Sequence, residues 1–224
     1  MRWSDLDQLN HVNNVVYVDY AAQARAELLG DDAPRVTGIE TEFRRPLLLS
    51  RTPVVVRSEV DGDATTHAIA PEGADEPFAT VRLSSGGAHP PVRDDVAPLD
   101  PLALRRTDIG PDGTVTASRF FELTQEARIF GLNRILPGRR AGGIVVARVD
   151  VRLGEPLSLA RGSIEVATAV THVGRSSYST TTWFEGGRRG VATAVLVGFD
   201  VSTQRSRVLD DDERQALLDQ LVTA

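Results

Sequence analysis

One segment of this chain occurs twice, and that duplication limits the folds open to it more than any other feature. The first copy runs Trp3-Ser4-Asp5-Leu6-Asp7-Gln8-Leu9-Asn10-His11-Val12-Asn13-Asn14 and continues through Tyr17 and Ala24 to Arg25. The second runs Thr107-Asp108-Ile109-Gly110-Pro111-Asp112-Gly113-Thr114-Val115-Thr116 and continues through Phe120 and Ala127 to Arg128. Asp5 and Arg25 stand twenty residues apart, as do Asp108 and Arg128. Without a gap the copies agree at Asp, Val, Ala and Arg, and Tyr17 falls opposite Phe120. Each copy leads into β-rich sequence with a Pro-Leu corner, at Pro46 and at Pro156. Such a pattern is one supersecondary block used twice.

Each copy predicts a long helix, over about 14–29 and 117–132, with Asn13 placed to accept a bond from a free amide of the first turn. The first helix is apolar at Val15, Val16, Tyr17, Val18, Tyr20, Ala21, Ala24, Leu28 and Leu29, nearly all round, and is expected to be wrapped by protein. Strands are expected over about 37–43, 54–60, 65–70 and 78–84, then over about 143–153, 163–173, 177–185 and 190–200. The connections between them are too short for parallel crossovers, which leaves an antiparallel meander. Proline-rich residues 88–101 read as an extended linker, and 210–221 as a short helix with Leu217, Leu218 and Leu221 on one face. The expected organisation is a first repeat over 1–87, the linker 88–101, and a second repeat over 102–224. The class is α+β: two antiparallel sheets, each curled round its own helix, joined as an intramolecular pseudo-dimer. Six residues, 102–107, precede the second aspartate, and only four precede Asp5, so a shortened first strand or a displaced start is expected.

The 224 residues are 41% hydrophobic and 25% charged, ordinary for a chain with a real core. A formal charge of −6 disfavours nucleic acid and anionic lipid as partners. Cysteine is absent, which excludes disulfides, thiolate nucleophiles and Cys-ligated zinc and suits a reducing cytoplasm. All 25 basic residues are arginine, so the chain has neither a Schiff-base lysine nor the lysine of a P-loop. No apolar run approaches the roughly 18 residues of a membrane span, and no leader pattern opens the chain. A soluble, cytoplasmic protein without a membrane partner is expected. His67, His89 and His172 are scattered without metal-ligand spacing, and no metal or other cofactor is expected.

The stretch from Arg2 to Asn14, continued through Tyr17 to Arg25, resembles the signature of the hotdog-fold acyl thioesterases, a 4-hydroxybenzoyl-CoA thioesterase-like family that includes bacterial acyl-CoA and plant acyl-ACP enzymes. Residues Val145 to Arg148, Pro156, Gly174 to Ser177 and Val197 to Asp200 also look like the β portion of that family. The resemblance implies a double hotdog in which the second aspartate of the Asp-x-Asp pair, Asp7, is the catalytic carboxylate. It further implies that helix amides near Asn13 and Asn14 polarise the thioester carbonyl. In the plant enzymes an Asn and a His follow the aspartate at the second and fourth positions; His11 matches the fourth, and Leu9 departs from the second. Gly110 stands in the second copy where Asp7 stands in the first, leaving one such carboxylate per pair.

Thioester hydrolysis needs a carboxylate to attack the carbonyl or deprotonate water, and donors for the negative oxygen of the tetrahedral intermediate. Thiolate leaves readily, so no strong acid is essential. Asp5, matched by Asp108, is expected to hold the loop, and His11 divides between orienting substrate and packing the loop. The candidate substrate-binding residues are Tyr17, Glu126, Arg175, Ser176 and Ser177. Glu126 lies opposite Gln23 in the second copy, although a helix carboxylate is more often solvated. Gly174-Arg175-Ser176-Ser177 is a turn that can meet pantetheine or acyl groups, and is not a Gly-x-Ser-x-Gly elbow. The arginine pairs at 44–45, 139–140 and 188–189 either bind CoA phosphates or solubilise the surface. The expected activity is that of an acyl-CoA thioesterase releasing free acid and CoA, with acyl-ACP as the nearest variant substrate. The alternatives are a hotdog enoyl-thioester hydratase or dehydratase and a non-catalytic acyl-thioester binding protein. Exposed sheet edges or faces leave a homo-oligomer of double units open.

Overall fold

The computed structural model describes residues 1–7, 10–30, 33–136 and 143–222. The chain divides into two compact units, Met1–Ala88 and His89–Ala224. The first unit opens with a 3-10 turn, Trp3–Asp5, followed by α1 (Asn14–Leu29), β1 (Gly38–Phe43), β2 (Val54–Asp61), β3 (Ala64–Pro71) and β4 (Ala79–Ser84). Its strands lie in the order β2-β3-β4-β1, all antiparallel, with α1 packed on β2, β3 and β4.

The second unit contains β5 (Leu102–Ala103), a 3-10 turn Arg106–Asp108, α2 (Ala117–Ile135), β6 (Ile144–Leu153), β7 (Ser163–Ile164), β8 (Val166–Val173), β9 (Ser177–Phe184), β10 (Gly190–Asp200), β11 (Arg205–Ser206) and α3 (Asp211–Asp219). Here the order is β6-β10-β9-β8, antiparallel, with β11 on β10 and with β5 and β7 forming a separate pair. α2 packs on β8 and β9, and α3 on β8. Among the described residues, no helix is long and apolar enough to cross a membrane.

The elements follow their local chemistry. Asn13 Oδ1 accepts the Val15 amide at 3.1 Å, and Gly30, at φ 77°, closes α1 by donating to the Ala26 carbonyl. Strand β4 throughout, and β10 as far as Phe199, alternate buried and half-buried residues, the mark of one face turned to a core. α3 begins with a reciprocal cap: Glu213 N–H donates to Asp210 Oδ1 at 2.7 Å, and Asp210 N–H to Glu213 Oε2 at 2.9 Å.

Five features depart from the sequence reading. The expected strand over 163–173 breaks at Glu165 into β7 and β8. α2 continues to Ile135, and α3 ends at Asp219, leaving Leu221 outside the helix as a parallel bridge to Val170. α1 buries only one face, with Val15, Val18, Ala21 and Arg25 on it, while Leu28 and Leu29 of its last turn are exposed. The proline-rich segment is extended but tied to the second unit: Arg93 N–H donates to Gly186 O, Leu99 N–H donates to Val166 O, and the Arg93 guanidinium lies 5.6 Å from the Trp183 ring centre.

Both central helices bury an arginine at the same repeat position. Arg25 donates through Nη2 to the Pro34 carbonyl and to Ser85 Oγ, each at 2.8 Å. Arg128 is as deeply buried and donates to no acceptor among the described residues, and burial pushes its pKa down to about 10. Below α1, fully buried His67 is held between Ser58 Oγ, 2.8 Å from Nδ1, and Thr65 Oγ1, 2.9 Å from Nε2. Burial first, and the charge of Arg25 second, hold the His67 pKa below the usual imidazole range.

Two outcomes follow for stability. The unfolded chain takes up a proton at a His67 free of these constraints, near pH 6.5, before the folded chain does, so stability falls as pH drops below about 6.5. Urea unfolding across that range is expected to show a shallower pH slope for His67→Gln than for the wild type; equal slopes would refute the assignment. Arg25→Met takes the charged donor from the Pro34 carbonyl and from Ser85 Oγ, leaving the carbonyl only the Ser85 hydroxyl at 3.3 Å, and is expected to cost about 1–3 kcal/mol. Arg128→Met removes a buried charge that has no acceptor among the described residues and is expected to cost less than about 1 kcal/mol or to stabilise, an ordering that denaturation midpoints can reverse or uphold.

Candidate active site

The start of α1 is shaped by a short loop that folds back on itself. Asp7 N–H donates to the His11 carbonyl at 2.7 Å, and His11 N–H returns a bond to Asp7 Oδ1 at 3.0 Å. Asn10 N–H donates to the Asp7 carbonyl, and Asn10 adopts φ 58°, a left-handed conformation that asparagine tolerates better than most residues. The loop is anchored on two sides. Asn13 N–H donates to the Asp5 carbonyl, and Val12 N–H to the Leu47 carbonyl, both at 2.8 Å. Asp7 is exposed, His11, Asn13 and Asn14 are half-buried, and Val12 is in the core.

This arrangement aims a water-accessible carboxylate by a backbone bond, close in sequence to a helix N-terminus. Asn13 caps that terminus through Val15, and the Asn14 amide has no acceptor among the described residues. An open first-turn amide at the positive end of a helix can receive developing negative charge.

Asp5 has the holding role expected of it. Its Oδ2 accepts the Arg2 amide at 2.5 Å and the Tyr20 hydroxyl at 3.3 Å. Asp108 repeats the first of these bonds with the Arg105 amide at 2.7 Å. Tyr17 is 2% exposed, meets the Phe43 ring edge-on at 5.5 Å, and accepts the Leu47 amide on its hydroxyl at 3.2 Å. Burial, opposed by that bond and helped by the negative charge of Asp7, pushes its pKa up to about 12. Tyr17 therefore braces the loop from below, with ring and hydroxyl both engaged by protein. Leu47 supplies both a carbonyl and an amide to this brace, a role that sequence reasoning missed; the repeated Pro-Leu corner was its signal.

The remaining candidates lie in the second unit. Glu126, on α2, is half-buried and lies 3.9 Å from the Arg105 guanidinium. Arg175 and Ser176 form the turn before β9, which begins at Ser177, and their carbonyls accept the amides of Leu209 and Gly198. Arg175 is exposed, and the two serines are half-buried. Of the arginine pairs, Arg44, Arg45, Arg188 and Arg189 are engaged with Glu42, Glu76, Asp94, Glu155 and Glu185. Arg139 and Arg140 lie outside the described residues.

The second copy repeats the loop without its carboxylate. Gly110 N–H donates to the Thr114 carbonyl at 2.8 Å, Gly113 N–H to the Gly110 carbonyl at 3.0 Å, and Gly113 takes φ 78° where Asn10 takes its own positive φ. Asp112 now closes the loop, accepting the Thr114 amide at 2.9 Å and its hydroxyl at 2.7 Å. A side chain at Gly110 would have its Cβ 2.9 Å from Thr116 Cγ2 and 3.4 Å from Asp112 Oδ1.

Comparison with known proteins accords with the fold. Residues 1–47 match the sequence profile of the acyl-ACP thioesterase C-terminal domain. No curated protein sequence matches the chain. A solved structure described as an oleoyl thioesterase, from Lactobacillus plantarum, is similar over 89% of this chain and 94% of its own, with 13% identity and a TM-score of 0.62. The 12:0-ACP thioesterase from Umbellularia californica is similar over 92% of this chain and 95% of its own, with 10% identity and a TM-score of 0.61. An acyl-ACP thioesterase from Bacteroides thetaiotaomicron covers 87% of this chain and 94% of its own, at 10% identity and a TM-score of 0.59. At these identities the likeness is one of fold. The resemblance to the hotdog-type thioesterases thus holds in the N-terminal sequence and in the fold.

The crowding at Gly110 has a measurable consequence. Gly110→Asp is expected to lower the unfolding free energy by about 1–3 kcal/mol. Adding Thr116→Ser, which removes the obstructing methyl and keeps the capping hydroxyl, is expected to recover part of that loss. Purely additive losses in this double-mutant cycle would count against the contact.

Proposed function

We propose that the chain hydrolyses acyl thioesters, with Asp7 as the general base or nucleophile. The observation that carries this reading is the aimed, water-exposed Asp7 carboxylate a few residues before the open first turn of α1, in a chain whose second copy has glycine at the equivalent position. As a base, Asp7 takes a proton from water, whose oxygen attacks the thioester carbon. The carbonyl oxygen becomes negative and is met by the Asn14 amide and the helix dipole. The C–S bond then breaks, the carboxylic acid departs, and the thiolate receives the proton held by Asp7. As a nucleophile, Asp7 would itself attack the thioester carbon and expel the thiolate, forming an anhydride that water then cleaves to the free acid and the restored Asp7 carboxylate. Either route proceeds without a redox cofactor.

The half-buried His11 flanks the carboxylate through its backbone and is proposed to orient substrate with its ring. Asn13 is proposed to act through the helix it caps. For the thiol carrier, CoA is the sequence expectation, and the acyl-ACP thioesterases that share the fold add acyl carrier protein as a second candidate.

The test is release of free thiol from a panel of acyl-CoA and acyl-ACP substrates of differing chain length. Asp7→Asn keeps an oxygen for the His11 amide and so preserves the loop, yet is expected to lower kcat by about 10²–10⁴. Near wild-type turnover in folded Asp7→Asn protein would sink the assignment. A change of mass by one water with the thioester intact would replace hydrolysis by hydration.

A further inference from the structure

The chain treats strand β2 of the first unit and strand β8 of the second unequally. Along the outer edge of β8, Leu99 N–H donates to the Val166 carbonyl at 2.8 Å, Pro98 bridges Ala167, and Val222 N–H donates to the Val170 carbonyl at 2.9 Å. β2, at the end of the order β2-β3-β4-β1, has no comparable cover among the described residues. Its ladder to β3 closes at Asp61 opposite Ala64 and sets Ser58 opposite His67. The carbonyls of Asp63 and Ile69 accept from Ser85 and Phe78 on the β4 side, so Thr66 and Ala68 turn their backbone groups towards β2. Alternation then directs the N–H and C=O groups of Val54, Val56, Ser58 and Val60 outwards. None of these groups finds a partner among the described residues. An open edge of this kind is a template for another strand.

The side chains select which strand. Ser58 turns its hydroxyl inwards to His67, which places Arg57 and Glu59 together on the opposite face. Both are exposed, and neither has an ion-pair partner among the described residues.

We propose that β2 is a self-association edge, pairing antiparallel with β2 of a second copy about a two-fold axis through Ser58. In that register Arg57 lies opposite Glu59 of the second copy, and Glu59 opposite its Arg57. These are the non-hydrogen-bonded positions of the new ladder, where facing Cα atoms approach to about 4.5 Å and side chains interact most closely. Ser58 exchanges backbone bonds with its own equivalent, and Val56 faces Val60. Two-fold registers centred one residue away set Arg57 against Arg57 or Glu59 against Glu59, so the charge pattern selects a single pairing. The partner is a second copy of this chain, because the edge is complementary to itself.

Sedimentation velocity on the full chain tests this. The wild type is expected to form dimers at micromolar concentration. Arg57→Glu and Glu59→Arg each place like charges at both symmetry-related contacts and are expected to weaken association by about tenfold or more. Mixing the two variants restores opposite charges across a heterodimer, and combining both changes in one chain restores them in a homodimer. Both preparations are expected to dimerise, with circular dichroism verifying that every variant is folded. A wild type that stays monomeric, a dimer indifferent to either reversal, or a mixture that fails to associate would overturn the proposal.

Discussion

The geometry of the candidate site depends on backbone hydrogen bonds that hold the start of α1. Asn13 is tied to the Asp5 carbonyl, Val12 to the Leu47 carbonyl, and Asp7 to the His11 carbonyl. Each bond satisfies a group that would otherwise be left without a partner near the core, so the loop has little freedom to relax. The side chains add to the same frame: Asp5 caps the turn before the loop, Asn13 caps the helix, and Tyr17 reaches up from the core to the Leu47 amide. A carboxylate on such a loop is aimed before any ligand arrives, which is how a site limits the reorganisation needed during reaction.

Because the frame is mostly backbone, it survives exchange of the side chain it presents. The second copy keeps the bonds from Thr116 to the Asp108 carbonyl and from Val115 to the Leu157 carbonyl. There, closure of the loop has moved from the first carboxylate position to Asp112, and Thr116 has filled the space beside Gly110. The first copy thus presents a carboxylate where the second has glycine, on the same backbone frame. The buried arginines show the same drift: Arg25 keeps acceptors, and Arg128 at the matching position has none among the described residues.

Much of this was legible in the sequence, for identifiable reasons. Asn13 as a cap, Asp5 as a holding residue and the helix over 14–29 rest on local chemistry within a few residues, and local chemistry is what a sequence displays directly. Leu47 and Tyr17 were harder. Their roles depend on a contact between residues thirty positions apart, which no local pattern encodes. The burial of α1 was overestimated at Leu28 and Leu29, because apolar character tells which residues can be buried and not how far a sheet reaches along a helix.

By itself, the sequence determined the duplicated α+β plan, the antiparallel meanders and the single Asp7 carboxylate, because periodicity, turn residues and aligned copies are properties of the chain. Tertiary structure decided that Tyr17 is a brace, that His67 is held neutral beneath α1, that the proline-rich segment covers the edge of β8, and that the edge of β2 is left open. Those outcomes turn on which backbone groups find partners across long separations, and only the folded arrangement of the strands brings the partners within hydrogen-bonding distance.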